Sequence, residues 1–318
     1  MGRRFLLFLL VLLTSLFAVA QQDPSSSAEA SGDNNNKRAS TPAALLDLAP
    51  DAHGALSQQQ MQQLFRVVAD KDMENDKRLR DYTYIEREIE SRLDGNGQVK
   101  SSEAKTYEIL EIYGEQVQRL TEKEDKPLSE KEAAKEEEKI QKIIDKRKNE
   151  STNEREKREK KDEKDREEGR QFVGDVADAY NFTLVGTELV GGREAWVIDG
   201  DPRPDFVPHK KEWKFLSKFR GRVWIDKSDL QLAKMDVECL DTISWGLFLA
   251  RFHKGSRFML EQTRVNDEVW LPLQLKVRVD ARLALLKNFN VDIEQSFRDY
   301  KKFRATTKIL AVEDVQKK

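Results

Sequence analysis

The stretch "GRVWIDKSDLQLAKMDVECL", residues 221–240, decides the fold class of this chain. It contains two runs in which apolar and polar residues alternate, separated by the turn residues "KSD" at 227–229. Alternation with a period of two is the pattern of a strand with one buried face. Two such runs around a short turn predict an antiparallel hairpin. Ala233, Met235 and Val237 share the apolar face of the second predicted strand.

Alternating segments of the same kind recur along the chain. Residues 182–190 and 194–202 surround a Gly-Gly turn, and residues 256–265 and 269–280 surround the turn "NDE". Turn residues recur about every 8 to 12 residues, which favours one antiparallel meander. The remaining predicted strands are "YTYIEREIESRL" at 82–93, "QVKSSEAKTYEIL" at 98–110, "EQVQRLTEK" at 115–123 and "VDIEQSFRDYKKF" at 291–303.

Residue parity assigns the two faces of the predicted sheet. In the strand 269–280 the apolar residues fall on one face, and Gln274, Lys276 and Arg278 fall on the other. An antiparallel sheet with one apolar face must cover that face. The residues predicted on the apolar face, and therefore as ligand-binding, are Leu184, Trp196, Ile198, Val223, Ile225, Met235, Val237, Phe258, Leu260, Leu273, Leu275 and Val277.

Three segments are predicted to form a helical lid over this face. The first is residues 57–78, capped by Ser57; the second lies near 210–218; the third is "WGLFLARFHKG" at 245–255, where Gly255 suits a helix end. The lid is small beside the sheet, so two interpretations stay open: an apolar cavity that binds acyl chains, or a solid core. The predicted lid residues are Met61, Leu64, Phe65, Val68, Leu247, Phe248 and Phe252.

The segments outside the sheet have distinct compositions. Residues 1–20 combine two arginines, an apolar run and Ala18-Val19-Ala20, which predicts a signal peptide cleaved near Ala20 and export to the periplasm. An uncleaved N-terminal anchor is the alternative. Residues 21–55 are rich in Ser, Ala, Asp and Asn and predict a disordered tether; residues 313–318 form a short tail.

Residues 129–169 predict a charged helical insertion. Acidic and basic residues alternate at i, i+4 spacings that support a helix, and apolar residues are almost confined to Ile140, Ile143 and Ile144. A sustained heptad is absent, so the pattern does not favour a coiled coil. The insertion divides the predicted half-barrel into residues 56–128 and 170–312. We expect a solvated excursion that the fold does not need; a partner-docking arm is the alternative.

Few residues suggest catalysis, a metal or a cofactor. The chain carries 56 Lys and Arg against 58 Asp and Glu, so the composition lacks the excess of basic residues that is typical of nucleic-acid-binding proteins. Cys239 is the only cysteine, and its parity predicts a buried thiol. His53, His209 and His253 predict surface histidines, and the aspartates of "DGDPRPD" at 199–205 predict a rigid turn. We expect no enzymatic activity, no metal and no cofactor.

The hairpin "GRVWIDKSDLQLAKMDVE" resembles that of LolA-like proteins, in which a Gly-x-x-x-Ile-Asp strand leads into a strand facing a cavity. "SFRDYKKF" at 296–303 resembles the closing strand of the same family, and the likeness covers residues 57–125 and 172–312. The insertion 129–169 has no counterpart in the compact carriers, and no lipobox cysteine is present. The resemblance carries over to Val223, Trp224, Ile225, Asp226, Met235 and Val237.

The resemblance implies a mainly β fold with helices: an incomplete antiparallel β-barrel, or half-barrel, closed by a short helical lid. It also implies a periplasmic, outer membrane lipoprotein-sorting type of carrier that holds acyl chains and hands its cargo to the outer membrane. The partners would be lipoprotein acyl chains or other lipid, with membrane-bound donor and acceptor proteins, and the chain would be a monomer. The alternative is a protein-binding or envelope-sensor module of the same fold that uses the charged arm.

Overall fold

The structure is a computed structural model that describes residues 50–53, 55–113, 115–245, 250–283 and 287–303. The predicted signal peptide, almost all of the tether and the C-terminal tail lie outside these residues. No helix in the described ranges is long and apolar enough to cross a membrane. The first elements are β1 (Ala55–Leu56), α1 (Gln58–Leu79), β2 (Tyr82–Leu93), β3 (Val99–Ile112), β4 (Glu115–Lys123) and β5 (Lys126–Pro127).

The second part of the chain begins with two helices and continues as strands. The 3₁₀ helix Lys211–Lys218 interrupts the strands after β7, where a short helix was predicted. The elements are α2 (Glu130–Lys148), α3 (Thr152–Ala179), β6 (Tyr180–Val190), β7 (Arg193–Pro202), the 3₁₀ helix, β8 (Phe219–Asp226), β9 (Leu232–Cys239), β10 (Ile243–Trp245), β11 (Ala250–Phe252), β12 (Arg257–Val265), β13 (Val269–Leu283) and β14 (Lys287–Lys302).

All described strands join one antiparallel sheet in the order β1-β6-β7-β8-β9-β12-β13-β14-β2-β3-β4-β5, with β10 and β11 attached beside β13. The C-terminal strand β14 pairs with β2, so the N-terminal hairpins extend the meander formed by the later strands. In the described residues the edges β1 and β5 do not pair with each other, and the sheet stays open. The predicted fold class, an open antiparallel half-barrel with helices, is confirmed.

Each of the three α-helices in the described ranges begins with a capping box. Ser57, Ser129 and Ser151 accept a hydrogen bond from the backbone N–H three residues later, and the Gln or Glu at that position bonds back to the serine N–H. This reciprocal arrangement satisfies two donors that a helix N-terminus otherwise leaves unpaired. The cap predicted at Ser57 is therefore present, and it starts α1 within one residue of the predicted boundary.

The charged segment is helical, as predicted, but it packs against the sheet. Ile140 of α2 is buried, the Glu136 carboxylate accepts from the Leu120 N–H at 3.1 Å, and Lys139 Nζ donates to the Gln118 carbonyl at 3.4 Å. These carbonyl and amide groups belong to β4, near the edge of the sheet. Helix α3 then continues to Ala179, well beyond the end of the charged sequence, and packs against α1.

The predicted helix at 245–255 is wrong. Ile243–Trp245 and Ala250–Phe252 are strands that pair with each other, and β11 also pairs with β13. The apolar spacing of this segment fits a helix, but backbone pairing with β13 determines its conformation, so tertiary context overrides the local pattern. Gly255, with φ +91°, lies in the turn before β12. Leu247 and Phe248 lie outside the described residues.

Two β-bulges change the predicted faces. Between Glu261 and Gln262 the register of β12 against β13 shifts, which leaves Leu273 without a cross-strand partner and 42% exposed. A second shift, between Trp224 and Ile225, places Ala233 in a small cluster on the opposite face from Met235. The extra residue of a bulge is left unpaired and breaks the alternation at its own position. Leu273 and Ala233 were therefore predicted on the wrong face.

Candidate functional site

A cavity of about 210 Å³ lies between the sheet and the helices. Its floor belongs to β6–β9, and its roof belongs to α1, α3 and the 3₁₀ helix. The floor is formed by Tyr180, Phe182, Ile198, Gly200, Phe219, Gly221, Val223, Ile225, Leu232, Met235 and Val237, together with Gln262 of β12. Five of the predicted ligand-binding residues, Ile198, Val223, Ile225, Met235 and Val237, are thus brought together on one side of the cavity.

Two glycines contribute to the hollow shape of the floor. Gly200 of β7 and Gly221 of β8 are direct partners in the strand register, and both line the cavity. A Cβ atom at Gly200 would lie 3.0 Å from the Phe182 ring, and a Cβ atom at Gly221 would lie 3.4 Å from Val237 Cγ2. Side chains at this pair would occupy the space that the cavity uses. The sequence shows both glycines, but only the strand register shows that they are cross-strand neighbours.

The roof comes from three separate helices. Helix α1 contributes Phe65, Val68 and Ala69, and the Phe65 ring lies 5.3 Å from the ring of Phe182 on the floor. The 3₁₀ helix contributes Phe215 and Leu216. Phe65 and Val68, both predicted as lid residues, therefore lie over the floor of the cavity. The segment near 210–218 was also predicted to belong to the lid, without individual residues being named.

The last turns of α3 form a part of the roof that sequence reasoning missed. Phe172, Val173 and Val176 line the cavity, and the Phe172 ring lies 6.2 Å from that of Phe215. These residues follow the charged sequence directly, and their helical spacing was the available signal. The predicted boundary of the insertion at residue 169 separated them from the helix to which they belong.

The other predicted site residues lie outside the cavity. Leu184 and Trp196 are partly buried against the main core, Met61 and Leu64 are fully buried in α1, and Phe252 is buried in β11. Leu273 is exposed because of the bulge described above. Toward β12 and β13 the apolar face is filled by packed side chains, so the cavity and the solid core occupy different parts of the sheet. The filled part includes Phe258, Leu260, Leu275 and Val277.

The signature hairpin is held by Asp226, which is fully buried. Its carboxylate accepts from Arg193 at 2.7 and 2.9 Å and from the backbone N–H groups of Ser228 and Asp229. Burial alone would raise the pKa of Asp226, but the hydrogen bonds from Arg193 and the turn hold that pKa below its ordinary value. Trp224 faces away from the cavity and donates from Nε1 to Glu188. Asp226 therefore fixes the turn, and neither of these two signature residues lines the cavity.

The remaining polar candidates have structural partners. Asp175 of α3 is fully buried and accepts from the His209 backbone N–H at 2.9 Å and from its Nδ1 atom. Cys239 is buried, and burial raises the pKa of its thiol above the ordinary value. In the described ranges no group of three or more His, Cys, Asp or Glu side chains could hold a metal ion. The geometry suits a ligand that is bound by apolar contact.

Comparison with known proteins finds likeness in fold. No family model and no curated protein matches the sequence. A structure from Vibrio parahaemolyticus, described as an outer membrane lipoprotein-sorting protein domain, is 12% identical, covers 78% of this chain and 95% of its own, and has a TM-score of 0.33. A LolA superfamily protein from Nitrosomonas europaea is 10% identical, with coverages of 79% and 94% and a TM-score of 0.25.

A third similar structure is the complex of MucA and MucB from Pseudomonas aeruginosa. It is 10% identical, with coverages of 77% and 99% and a TM-score of 0.21. This chain is thus similar to LolA-like and lipoprotein-sorting structures, at identities and TM-scores that leave its function to be argued from the site.

Proposed function

We propose that this chain is a lipid- or lipoprotein-binding carrier of the cell envelope that holds an acyl chain in the cavity under its helical roof. The observation that carries the proposal is the apolar lining of a cavity of about 210 Å³. An apolar cavity of about 150 Å³ already admits a small hydrocarbon such as benzene. A larger one with the same kind of lining favours an apolar ligand over a polar one.

The energetics of an acyl chain fit this cavity. Each methylene group removed from water contributes about 0.8 kcal/mol, so a segment of six would contribute roughly 5 kcal/mol before ordering costs. The roof consists of helices that contact the floor through side chains, while the floor is held by backbone hydrogen bonds between strands. Such a roof can separate from the floor without breaking the sheet, which a carrier requires for loading and release.

The location, partners and oligomeric state that we propose are those predicted from the sequence. The chain would be exported to the periplasm, would act without catalysis, and would exchange lipid or lipoprotein acyl chains with membrane-bound donor and acceptor proteins as a monomer. Transfer to the outer membrane is its proposed direction. Leu247 and Phe248 stay predictions as further lid residues. The alternative, a protein-binding or envelope-sensor module that uses the charged arm, predicts no bound lipid, so mass spectrometry of an organic extract of the purified protein discriminates between the two.

The proposal is tested by a substitution in the roof that fills the cavity with a larger side chain. Val176→Trp places a large ring in the cavity, and we expect it to weaken binding of a fluorescent fatty alcohol at least about tenfold, because the ring takes the volume of the ligand. Gln171→Trp adds the same ring at an exposed position of the same helix and should leave binding unchanged. Thermal unfolding checks that both variants are folded. Equal binding by wild type and a folded Val176→Trp protein would contradict the proposal.

A further inference from the structure

One row of residues across the sheet contains a gap of two side chains. Five neighbouring strands contribute directly paired residues to this row: Phe182, Gly200, Gly221, Val237 and Phe258. The two glycines are adjacent in it, and neighbouring strands lie about 4.8 Å apart, so the gap is roughly 10 Å wide. The next row carries a side chain at every position, and its members are Leu184, Ile198, Val223, Met235 and Leu260.

The backbone does not require either glycine. Neither Gly200 nor Gly221 has a positive φ, and both lie inside strands, where glycine weakens the strand because it packs no side chain. Close approach restricts Gly200, where a Cβ atom would lie 3.0 Å from the Phe182 ring. At Gly221 a Cβ atom would lie 3.4 Å from Val237 Cγ2, close to van der Waals contact. Gly221 therefore leaves open a space that a side chain could occupy.

Beyond the glycines the cavity ends at aromatic rings. Phe219 precedes Gly221 by two residues on β8, roughly 7 Å along the strand, and it is buried. Its ring lies 5.9 Å from that of Phe215, which lies 6.2 Å from that of Phe172. Cys239, the register partner of Phe219, is buried and does not line the cavity. The glycine gap is thus the last open part of the floor before this aromatic wall.

The side of the cavity away from the wall is less buried. Val223, Leu232 and Met235 line it and are only partly buried. An acyl chain that enters on this side and follows β8 would therefore reach the glycine gap with its distal end and stop at Phe219.

We propose that Gly200 and Gly221 receive the distal end of a linear acyl chain and set the longest chain that the cavity accepts. Each methylene group that enters the gap leaves water and strengthens binding, whereas a longer chain meets the Phe219 ring and gains nothing further. The preferred ligand is then an acyl compound of limited chain length. This inference rests on the proposed function and adds chain-length selectivity to it.

The experiment measures, by titration calorimetry, the affinity of primary alcohols from hexanol to tetradecanol. In wild type we expect each added methylene to strengthen binding about threefold until the chain reaches Phe219, with no gain for longer chains. In Gly221→Val this limit should come about two carbons earlier, so that long alcohols bind about tenfold more weakly and short ones bind as before. The Tm should not fall, because valine suits an extended backbone.

The matched control is Arg220→Val, which adds the same side chain at an exposed position on the opposite face of β8 and should leave the limit unchanged. If Gly221→Val does not fold, Gly221→Ala makes a smaller change and should move the limit by about one carbon.

Two outcomes separate this inference from the proposed function. If the alcohols bind to wild type but folded Gly221 variants keep the same limit, the chain-length selectivity is refuted while the carrier function stands. A fall in Tm together with that unchanged limit would assign the glycine to packing of the sheet. If none of the alcohols binds to wild type, the carrier function is refuted together with the selectivity.

Discussion

At the scale of single residues, two leucines on β13 illustrate how a bulge reassigns a side chain. Leu275 is 5% exposed in the main core, while Leu273, two positions earlier, is 42% exposed. Pro272 lacks a backbone N–H, and proline in a central strand is tolerated at a bulge. Here the bulge leaves Leu273 unpaired. Strict alternation placed both leucines on one face, and Pro272 was the sequence signal against it.

The two leucines should respond differently to the same substitution. Leu275→Lys buries an ammonium among apolar side chains and is expected to lower the free energy of unfolding by about 3–5 kcal/mol. Leu273→Lys, already exposed, should change it by no more than about 0.5 kcal/mol. Urea unfolding followed by circular dichroism measures both. Similar losses in the two variants would show that Leu273 is packed and that the bulge is misplaced.

At the scale of elements, the end of α3 is fixed by side chains from the loop before the 3₁₀ helix. Lys210 Nζ contacts Glu168 at 3.0 Å, Arg203 donates to the Asp178 carbonyl, and His209 contacts the buried Asp175. Asp175 lies between Val173 and Val176, which line the cavity, so these contacts hold the roof. No pattern in the sequence linked the loop to this helix, because the two are brought together only by the fold.

The contact between His209 and Asp175 should make the stability depend on pH. The hydrogen bond with Asp175 raises the pKa of His209 above its ordinary value of about 6.5. The stabilisation is therefore fully present below about pH 6.5 and is lost as the pH rises through the folded-state pKa. We expect the difference in Tm between wild type and His209→Ala to be constant at acidic pH and to shrink above neutrality. His53→Ala, at an exposed position, is the control; a pH-independent difference would contradict the assignment.

Most strands and helix α1 could be predicted from the sequence. Strands with clear alternation and a capped helix such as α1 depend on local patterns, and these predictions are confirmed. The helix predicted at 245–255 failed because pairing with β13, more than twenty residues away, overrides its apolar spacing. The cavity could be predicted only in part, since its floor follows from parity. Its roof depends on Phe172 and Val176, whose position over the floor results from the path of the whole charged segment.

At the scale of the whole molecule, that segment connects opposite ends of the sheet. Helix α2 begins after β5, at one edge, and α3 ends at β6, which only the two-residue strand β1 separates from the other edge. With 28 residues and a rise of about 1.5 Å each, α3 is roughly 42 Å long. Its N-terminal end is held by ion pairs in which Arg147 and Arg158 contact Glu115 of β4 and Glu150 between the helices. A short loop therefore does not replace this path.

The sequence predicted that the charged segment is dispensable, and these contacts lead to the opposite expectation. Replacing residues 130–168 with a Gly/Ser linker of equal length keeps the connection but removes Ile140 and Glu136, which cover β4 near the edge of the sheet. We expect a lower Tm and self-association, because an uncovered strand edge pairs with other chains. Differential scanning calorimetry and light scattering measure the two effects.

Single substitutions separate the packing of α2 from the length of the connection. Ile140→Lys places a charge at the buried contact with the sheet and should reproduce most of the loss in Tm, whereas Glu137→Lys, at an exposed position of the same helix, should not. A linker protein with unchanged Tm that stays monomeric would restore the view of a solvated excursion. If only the linker protein is destabilised and Ile140→Lys is not, the ion pairs with Glu115, rather than packing on β4, hold the segment. In that case Glu115→Arg, which places a third positive charge beside Arg147 and Arg158, would lower the Tm on its own.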